Sequence, residues 1–519
     1  MGVNDPAHDG TTAGPSHVGT SARLTIRPWQ AALLAGVLAT LAAAPSIRNE
    51  FVADDQWVIA NRQVLQHPPS VGAVLKEPYW PATFGGSMWR PAVLTSFAFD
   101  YQVSTSPHWF HFWNVIWAAV SAALLTLLAC ELAGPLTGLV AGLLFAVHPV
   151  HVEAVANVVG RAELMAAAGY ATALLCATRS EQRPTYLIGV ALGAAFGMAS
   201  KELVATLPAA VVLVYVAKRM DWRRAWRPGL AAAVSIIGYF AVYALVNVHK
   251  VFFAGGIAVG LEELGTLQRI SAMVPISVQW WRLLLFPAHL SADYSPGELT
   301  VSPGLTAMHL LSVVVWAAAG VLAWRTRRTI PGIALGLAWF VITVSPVANV
   351  VVPMELLIAE RTLYLPSFGI VFALASAIVA APWSPRVRKA VLAGIVALGA
   401  VRSIARIPSW HDDETHYQAL KREAPLSYRT LWLEGKDEFV AGRWGSGERL
   451  LLQSIAFAPR QAGPRYDLGR FYMSAKLWKP AIQHLRAAAA EGFPPAQAAL
   501  QEALQAAGDT SVRRPVAPN

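Results

Sequence analysis

Eleven apolar runs recur along the chain, at 29–47, 109–130, 134–148, 162–178, 184–199, 203–217, 228–248, 303–324, 330–346, 362–381 and 389–405. A bilayer core takes ~20 mainly apolar residues per helix and leaves no backbone polar group unpaired. A chain built of such runs therefore folds as a bundle of membrane helices. Several runs are short, which suits tilted or broken helices lining a cavity. The segment 271–287 is also apolar. It is read as interfacial or re-entrant, because a twelfth crossing there puts the basic loops out of phase.

Composition agrees with a polytopic membrane protein. Hydrophobic residues make up 55% and charged residues 14%, against about a quarter charged in a soluble chain. The net charge of +10 does not indicate nucleic acid, since Lys and Arg punctuate apolar runs instead of gathering on one solvated face. Cys130 and Cys176 both lie inside apolar runs and read as packing residues, with no disulfide framework and no zinc spacing. Residues 1–28 read as a disordered cytoplasmic tail. The run after Arg27 has features of a signal peptide, but with so many apolar runs following it is read as an uncleaved first helix.

Basic clusters set the orientation. They are Arg23/Arg27, Arg179/Arg183, Lys218-Arg219 with Arg223, Arg224 and Arg227, Arg325/Arg327/Arg328, and Arg386/Arg388/Lys389. Eleven spans with the N-terminus inside put every cluster in the cytoplasm. The loops 48–108, 149–161, 200–202, 249–302 and 347–361 and the C-terminal part then face outward. Within the first outer loop, Ala92 to Tyr101 is expected as an amphipathic interfacial helix.

From about residue 409 the composition turns soluble and helical. Trp432 and Tyr466, Gly435 and Gly469, and Trp444 and Trp478 each stand 34 residues apart. That period with Ala/Gly-rich second helices is the tetratricopeptide pattern, predicting a small α-solenoid at 409–510 and a tail at 511–519. Such units usually bind peptide or protein on a concave face; the alternative is a lid that only stabilises the membrane part.

The outward loops collect the ionisable residues. Asp54 and Asp55 stand side by side after the first run, with Arg90 on the same loop. His148, His151, Glu153, Arg161 and Glu163 flank the junction of the third and fourth runs, Lys201-Glu202 joins the fifth and sixth, and Glu360-Arg361 opens the tenth. Asp293-Tyr294 follow the interfacial segment as weak acceptor contacts, with a plain loop turn as the alternative. His148 and His151 with Glu153 offer metal donors but no convincing fourth ligand, so no metal site is read and divalent-metal assistance is left open. The constellation fits transfer from a lipid-linked phosphate sugar. A carboxylate, Asp54 or Asp55, takes a hydroxyl proton, and Arg161, Lys201, Arg361 and more weakly Arg90 meet the departing phosphate. His148, His151, Glu153, Glu163, Glu202 and Glu360 shape the pocket. Transport and a non-catalytic membrane-anchored scaffold are the rival classes. A transporter is expected to show an internal repeat of spans and mid-membrane polar groups, whereas these cluster on one face.

Phe51-Val-Ala-Asp-Asp-Gln-Trp-Val-Ile-Ala-Asn61 resembles the first outer loop of the GT-C class of polyprenol-dependent glycosyltransferases. The run His148-Pro-Val-His-Val-Glu-Ala-Val-Ala-Asn-Val-Val-Gly-Arg-Ala-Glu163, Lys201-Glu202 and Glu360-Arg-Thr-Leu-Tyr-Leu-Pro-Ser367 resemble the transmembrane and tetratricopeptide-repeat O-mannosyltransferase family. The resemblance implies an all-α GT-C membrane bundle over 29–408 and the aspartate pair as the catalytic acidic motif. It also implies a dolichyl- or undecaprenyl-phosphate sugar donor, with mannose as the family's sugar. The repeat region is short for that family, so the acceptor reached through it reads as protein or glycan. High Ala and Arg content points to a bacterial inner membrane, with the active face extracytoplasmic and lipid as constant partner.

Overall fold

The computed structural model describes residues 26–81, 88–246 and 256–508. Among these the chain is all-α, with a single isolated bridge between Pro296 and Leu299 and no strand. The tail expected up to residue 28 lies outside the described residues as far as 25, as does the expected tail 511–519; the first helix begins at Pro28.

Among the described residues seven helices are long and apolar enough to cross a membrane: Pro28–Arg48, Pro107–Ala133, Val158–Ala177, Trp222–Val246, Ala307–Thr326, Glu360–Ala380 and Pro385–Trp410. Pro135–Ala146 and Pro149–Ala156 together meet the same test but bend by 54° at their junction. The bend has a local cause, since the residue before a proline is pushed out of the helical region and His148 is extended at φ −69°, ψ 122°. Three shorter apolar helices, Tyr186–Met198, Glu202–Ala217 and Pro331–Val347, complete the set. Each apolar run of the sequence falls on one of these elements. Segment 271–287 forms parts of two short helices, Thr266–Ile276 and Val278–Leu285.

Several helices start on proline, including Pro107, Pro135, Pro331 and Pro385, where the missing N–H would be unpaired anyway and φ is preset. Small residues bring helices together. A Cβ on Gly169 would stand 2.8 Å from Gly193 O, and one on Gly336 would stand 2.2 Å from Gly369 O, the close approach that membrane helices use in place of a hydrophobic drive.

Helix Pro107–Ala133 orients the molecule. Its 27 residues extend about 40 Å at 1.5 Å each. Near its end, Glu131 accepts from Arg179 Nη2 at 2.9 Å and Lys218 Nζ at 2.8 Å, so two of the basic clusters meet at one carboxylate. At its start, His111 Nε2 lies 3.1 Å from Glu50 O, close to the aspartate turn.

A second apolar core lies under the first loop, where Val58, Leu65, Tyr79, Val93, Phe97 and Phe110 are buried together. Helix Pro91–Val103 belongs to it. Apolar Phe99 and Val103 on it face outward, 61% and 68% exposed, while Asp100 is buried. Burial of that carboxylate follows from its ion pair with Arg161.

After Trp410 come helix Asp413–Glu423, the hairpins Tyr428–Val440/Trp444–Phe457 and Ala462–Ser474/Trp478–Ala490, and the closing helix Pro494–Ala506. The 34-residue period has a packing reason. A Cβ on Gly435 would stand 2.9 Å from Leu451 Cγ, and one on Gly469 would stand 2.7 Å from Leu485 Cγ. These helices dock on the loop that carries Pro296 and Glu298, with Tyr428 N donating to Pro296 O at 3.1 Å and Leu426 N to Glu298 Oε1 at 2.6 Å.

Candidate functional site

The two aspartates turn in opposite directions. Asp55 is fully buried and accepts from Val159 N at 2.8 Å, Val158 N at 3.1 Å and Val52 N at 3.3 Å. It thereby ties the turn to the start of helix Val158–Ala177. Burial pushes its carboxyl up to about 7, against the pull of these three donors. Ala53, just before the two aspartates, stands at φ 52°, a left-handed conformation costly for a residue with a Cβ. Its N–H is held by Asp413 Oδ1 at 2.9 Å, and Gln56 Nε2 reaches the other oxygen of Asp413 at 3.3 Å. Asp54 keeps its side chain 30% exposed and meets Arg361 Nη1 at 3.0 Å.

Arg361 is shared. Its Nη1 also lies 3.4 Å from Glu153 Oε1, and its backbone N donates to Glu153 Oε2 at 2.9 Å. Asp54 and Arg361 line a cleft of about 760 Å³ together with Tyr79, Arg90, Gly160, Glu163 and Lys201. Arg90 grips Glu202 through Nη2 at 2.9 Å and Nε at 3.2 Å, and its guanidinium stands 4.6 Å over the Tyr79 ring. Lys201 pairs with Glu163. Burial, with Arg90 and Arg361 nearby, pushes the Lys201 amine well below its usual value, and burial lifts the Tyr79 hydroxyl to about 12.

Two further spaces adjoin this cleft. An apolar groove of about 1220 Å³ is lined by Trp89, Leu203, Tyr239, Phe240, Tyr243 and Val352, and shares Met88, Lys201, Val347, Met354 and Glu355 with the cleft. An outer cavity of about 1680 Å³ lies against the C-terminal helices, with Glu153, Asn157, Asp293, Trp410, Asp413, Arg429 and Asp437 in its wall. It shares Asp54, Trp80, Glu355 and Arg361 with the cleft. Asp54 and Arg361 thus stand where a cation-lined cleft beside an apolar groove opens into a roofed chamber.

Other sequence-singled residues lie apart. Arg161 is absent from the cleft wall and fully buried. Its Nε donates to Asn114 Oδ1 at 2.8 Å, Nη2 to Phe110 O at 2.8 Å, and Nη1 to Ser96 Oγ at 3.1 Å and to Asp100. The guanidinium is consumed in tying helix Pro91–Val103 to the bundle, leaving it no reach toward a phosphate. His148 Nε2 stands 3.0 Å from Leu284 O and His151 Nε2 2.7 Å from Ser367 Oγ. Both line a separate cavity of about 420 Å³ with Phe145, Tyr364 and Ser403. Glu360 is buried, accepting from Tyr294 Oη and Ser291 N, both at 2.6 Å. Asp293 does reach the outer cavity, held by Ser295 Oγ at 2.6 Å and by Ser427. Among the described residues no group of three or more His, Cys, Asp or Glu is arranged to hold a metal ion.

Sequence reading missed Tyr79, Glu355, Asn157, Trp410, Asp413 and Asp437. Asp413 lies 360 residues from the turn it holds, and no spacing signals such a contact. Asn157 stands inside the quoted His148–Glu163 run and was open to notice as a polar residue among valines.

Comparison with known proteins bears on these elements. The family described as dolichyl-phosphate-mannose-protein mannosyltransferase matches residues 106–247. Protein O-mannosyl-transferase TMTC4 of Mus musculus is 24% identical over 477 residues, covering 79% of this chain and 64% of the relative. The human protein of that name is 24% identical over 474 residues with the same coverage. Over a shorter stretch of 158 residues, 29% of this chain and 17% of the relative, protein O-mannosyl-transferase TMTC1 of Mus musculus is 37% identical. The chain thus spans less than two thirds of the length of these relatives. No solved structure matches. The resemblance noted in the sequence motifs agrees with the family match over 106–247 and with relatives that align over 79% of the chain.

Proposed function

We propose that the chain is an integral membrane glycosyltransferase that moves a sugar, mannose by its relatives' names, from a polyprenyl-phosphate carrier to a hydroxyl in the outer cavity. The observation that carries the reading is the place of the Asp54–Arg361 pair, on the wall common to the cleft and the chamber. The apolar groove suits the carrier's hydrocarbon tail, and Arg90, Lys201 and Arg361 suit its phosphate. The conformation of the turn favours Asp54 over Asp55 as base, since both Asp55 oxygens are occupied by backbone donors.

In this reading the acceptor hydroxyl attacks the anomeric carbon from the side opposite the phosphate. The O–C bond forms, its proton passes to Asp54, and the C–O bond to phosphate breaks with its electron pair leaving on the phosphate. A phosphodiester with one negative charge becomes a monoester with two, so the required stabilisation grows as the bond breaks. Asp54 loses its charge at the same moment. Arg361 is then released from its partner at 3.0 Å to meet the new phosphate charge, while Glu153 keeps it in place. Asp55 holds the turn, and Glu202 and Glu163 hold Arg90 and Lys201. Arg161 is a structural tie. The meeting of Arg179 and Lys218 at Glu131 supports an orientation with the basic end in the cytoplasm and the chamber outside.

The test is transfer from radiolabelled polyprenyl-phosphate mannose by purified protein in bilayer discs. Asp54→Asn is expected to lower transfer ~100-fold or more while the protein elutes and melts as wild type. Full transfer by that variant removes Asp54 as base. No transfer by wild type from any prenyl-phosphate sugar removes the enzyme reading.

A further inference from the structure

The wall common to the cleft and the outer chamber is short. Besides Asp54 and Arg361 it consists of Trp80, Glu355 and the aliphatic Leu356, Ile358 and Ala359. Glu355 also lines the apolar groove, so this one carboxylate stands where all three spaces meet. Of the carboxylates in the cleft wall, Asp54 has Arg361 and Glu163 has Lys201. Glu355 has a neutral donor, Gly256 N at 3.0 Å from Oε1, and among the described residues no cation pairs with it.

An uncompensated carboxylate beside a phosphate site opposes the ligand, because like charges repel. Arg90 and Lys201 do not answer it, being engaged by Glu202 and Glu163. A group rich in hydroxyls standing between the carboxylate and the phosphate turns that charge to advantage, since an ionised carboxylate is a strong acceptor of O–H donors. The transfer geometry puts such a group at that place. The anomeric carbon has to lie between the acceptor oxygen at Asp54 and the phosphate among Arg90, Lys201 and Arg361, so the sugar ring occupies the shared mouth. Trp80 supplies the second element of a sugar site there, an indole broad enough to cover the apolar C–H face of a hexose.

We infer that Glu355 and Trp80 select the sugar of the donor: Glu355 accepts hydrogen bonds from hexose hydroxyls, Trp80 covers the ring, and a sugar that itself bears a carboxylate is turned away. The inference deepens the transferase reading and rests on it for the place of the anomeric carbon. It adds that the donor carries a neutral hexose, and that the sugar is recognised by residues other than those that hold the phosphate. Neither residue exchanges a proton with the reacting atoms. The two decide which sugar is held in line with Asp54.

The experiment uses the full chain in discs of neutral lipid. A dye-labelled prenyl phosphate is displaced, without acceptor, by unlabelled prenyl phosphate, by prenyl-phosphate mannose and by the corresponding mannuronate; transfer from the two sugar donors is measured separately. Glu355→Gln is expected to weaken the mannose donor about 10-fold, the loss of a hydrogen bond to a charged acceptor. The same variant should bind prenyl phosphate as tightly as wild type or tighter. Wild type should hold the mannuronate about 10-fold more weakly than the mannose donor, the cost of like charges brought together, and Glu355→Gln should close most of that gap. Trp80→Leu should weaken the mannose donor alone, and Trp80→Phe should restore most of the loss. Weakening of prenyl phosphate and mannose donor alike in Glu355→Gln overturns the inference, because it puts Glu355 at the phosphate. Unchanged affinity of that variant for the mannose donor overturns it too, as does equal binding of mannose and mannuronate donors by wild type. Selective loss of the mannose donor with no transfer by wild type counts for this inference and against the transferase reading. Transfer that Glu355→Gln leaves unaltered does the reverse, and failure of wild type to bind the labelled prenyl phosphate overturns both.

Discussion

Replacing Arg161 by methionine separates a structural tie from a phosphate ligand. The side chain is 1% exposed and its Asp100 partner 7%, so the pair sits in low dielectric with its remaining donors on Asn114, Phe110 and Ser96. Arg161→Met leaves Asp100 charged and buried, and breaking a buried pair in this way costs about 3–5 kcal/mol. At ~2 °C per kcal/mol for a large domain, the melting temperature should fall by roughly 6–10 °C. The assay is thermal denaturation in detergent followed by tryptophan emission and by loss of the monodisperse peak. Arg161→Lys should do nearly as badly, because a point charge cannot reach Asn114, Phe110 and Asp100 together. Arg161→Met combined with Asp100→Leu should regain most of the loss, as a buried ion pair replaced by apolar groups is often neutral. A normal melting temperature with transfer abolished refutes this account and returns Arg161 to the donor phosphate.

Burial lifts Asp55 from 3.8 to about 7, so between those pH values the folded protein holds a proton the unfolded chain has released. Its contribution is therefore fully present below about pH 4 and lost as pH rises through 7, amounting to at most about 4 kcal/mol. Asp55→Asn cannot titrate, so wild-type stability relative to that variant should fall between about pH 4 and 7 and level off above. A relative rise, as expected of a carboxylate kept ionised by its three N–H donors, refutes it. Orientation is checked with an impermeant maleimide in a background lacking Cys130 and Cys176. Gly445→Cys and Arg183→Cys, both at exposed positions, should be labelled from opposite faces of the membrane, and labelling of both from one face rejects the eleven-span threading.

The membrane imposes its pattern on each run locally, which is why the helices were legible and why the bend at His148-Pro149 fell where proline forbids continuation. The 34-residue period was legible because Gly435 and Gly469 face equivalent leucines. The aspartates were not separable from sequence, since what divides them is the direction of two backbone N–H groups at Val158 and Val159. Arg161 misled for a related reason. A charge at a helix start looks alike whether it faces a cleft or a buried carboxylate on another helix. The chamber residues Trp410, Asp413 and Asp437 carried no local signal, because their meaning depends on how the last part of the chain folds back over the first.

That folding back has a consequence in time. Ala53 is held in its left-handed turn by Asp413, and Glu50 N is held by His411 O at 2.7 Å. These partners are made 360 residues after the turn, or ~20–70 s later at ~5–20 residues per second of synthesis. Through that interval the membrane helices are inserted while the turn that carries Asp54 lacks its Asp413 anchor. A nascent chain stalled before residue 411 would sit in the bilayer with its apolar groove formed and the turn at Ala53 unheld. Emergence of residues 411–413 then completes the turn that carries Asp54.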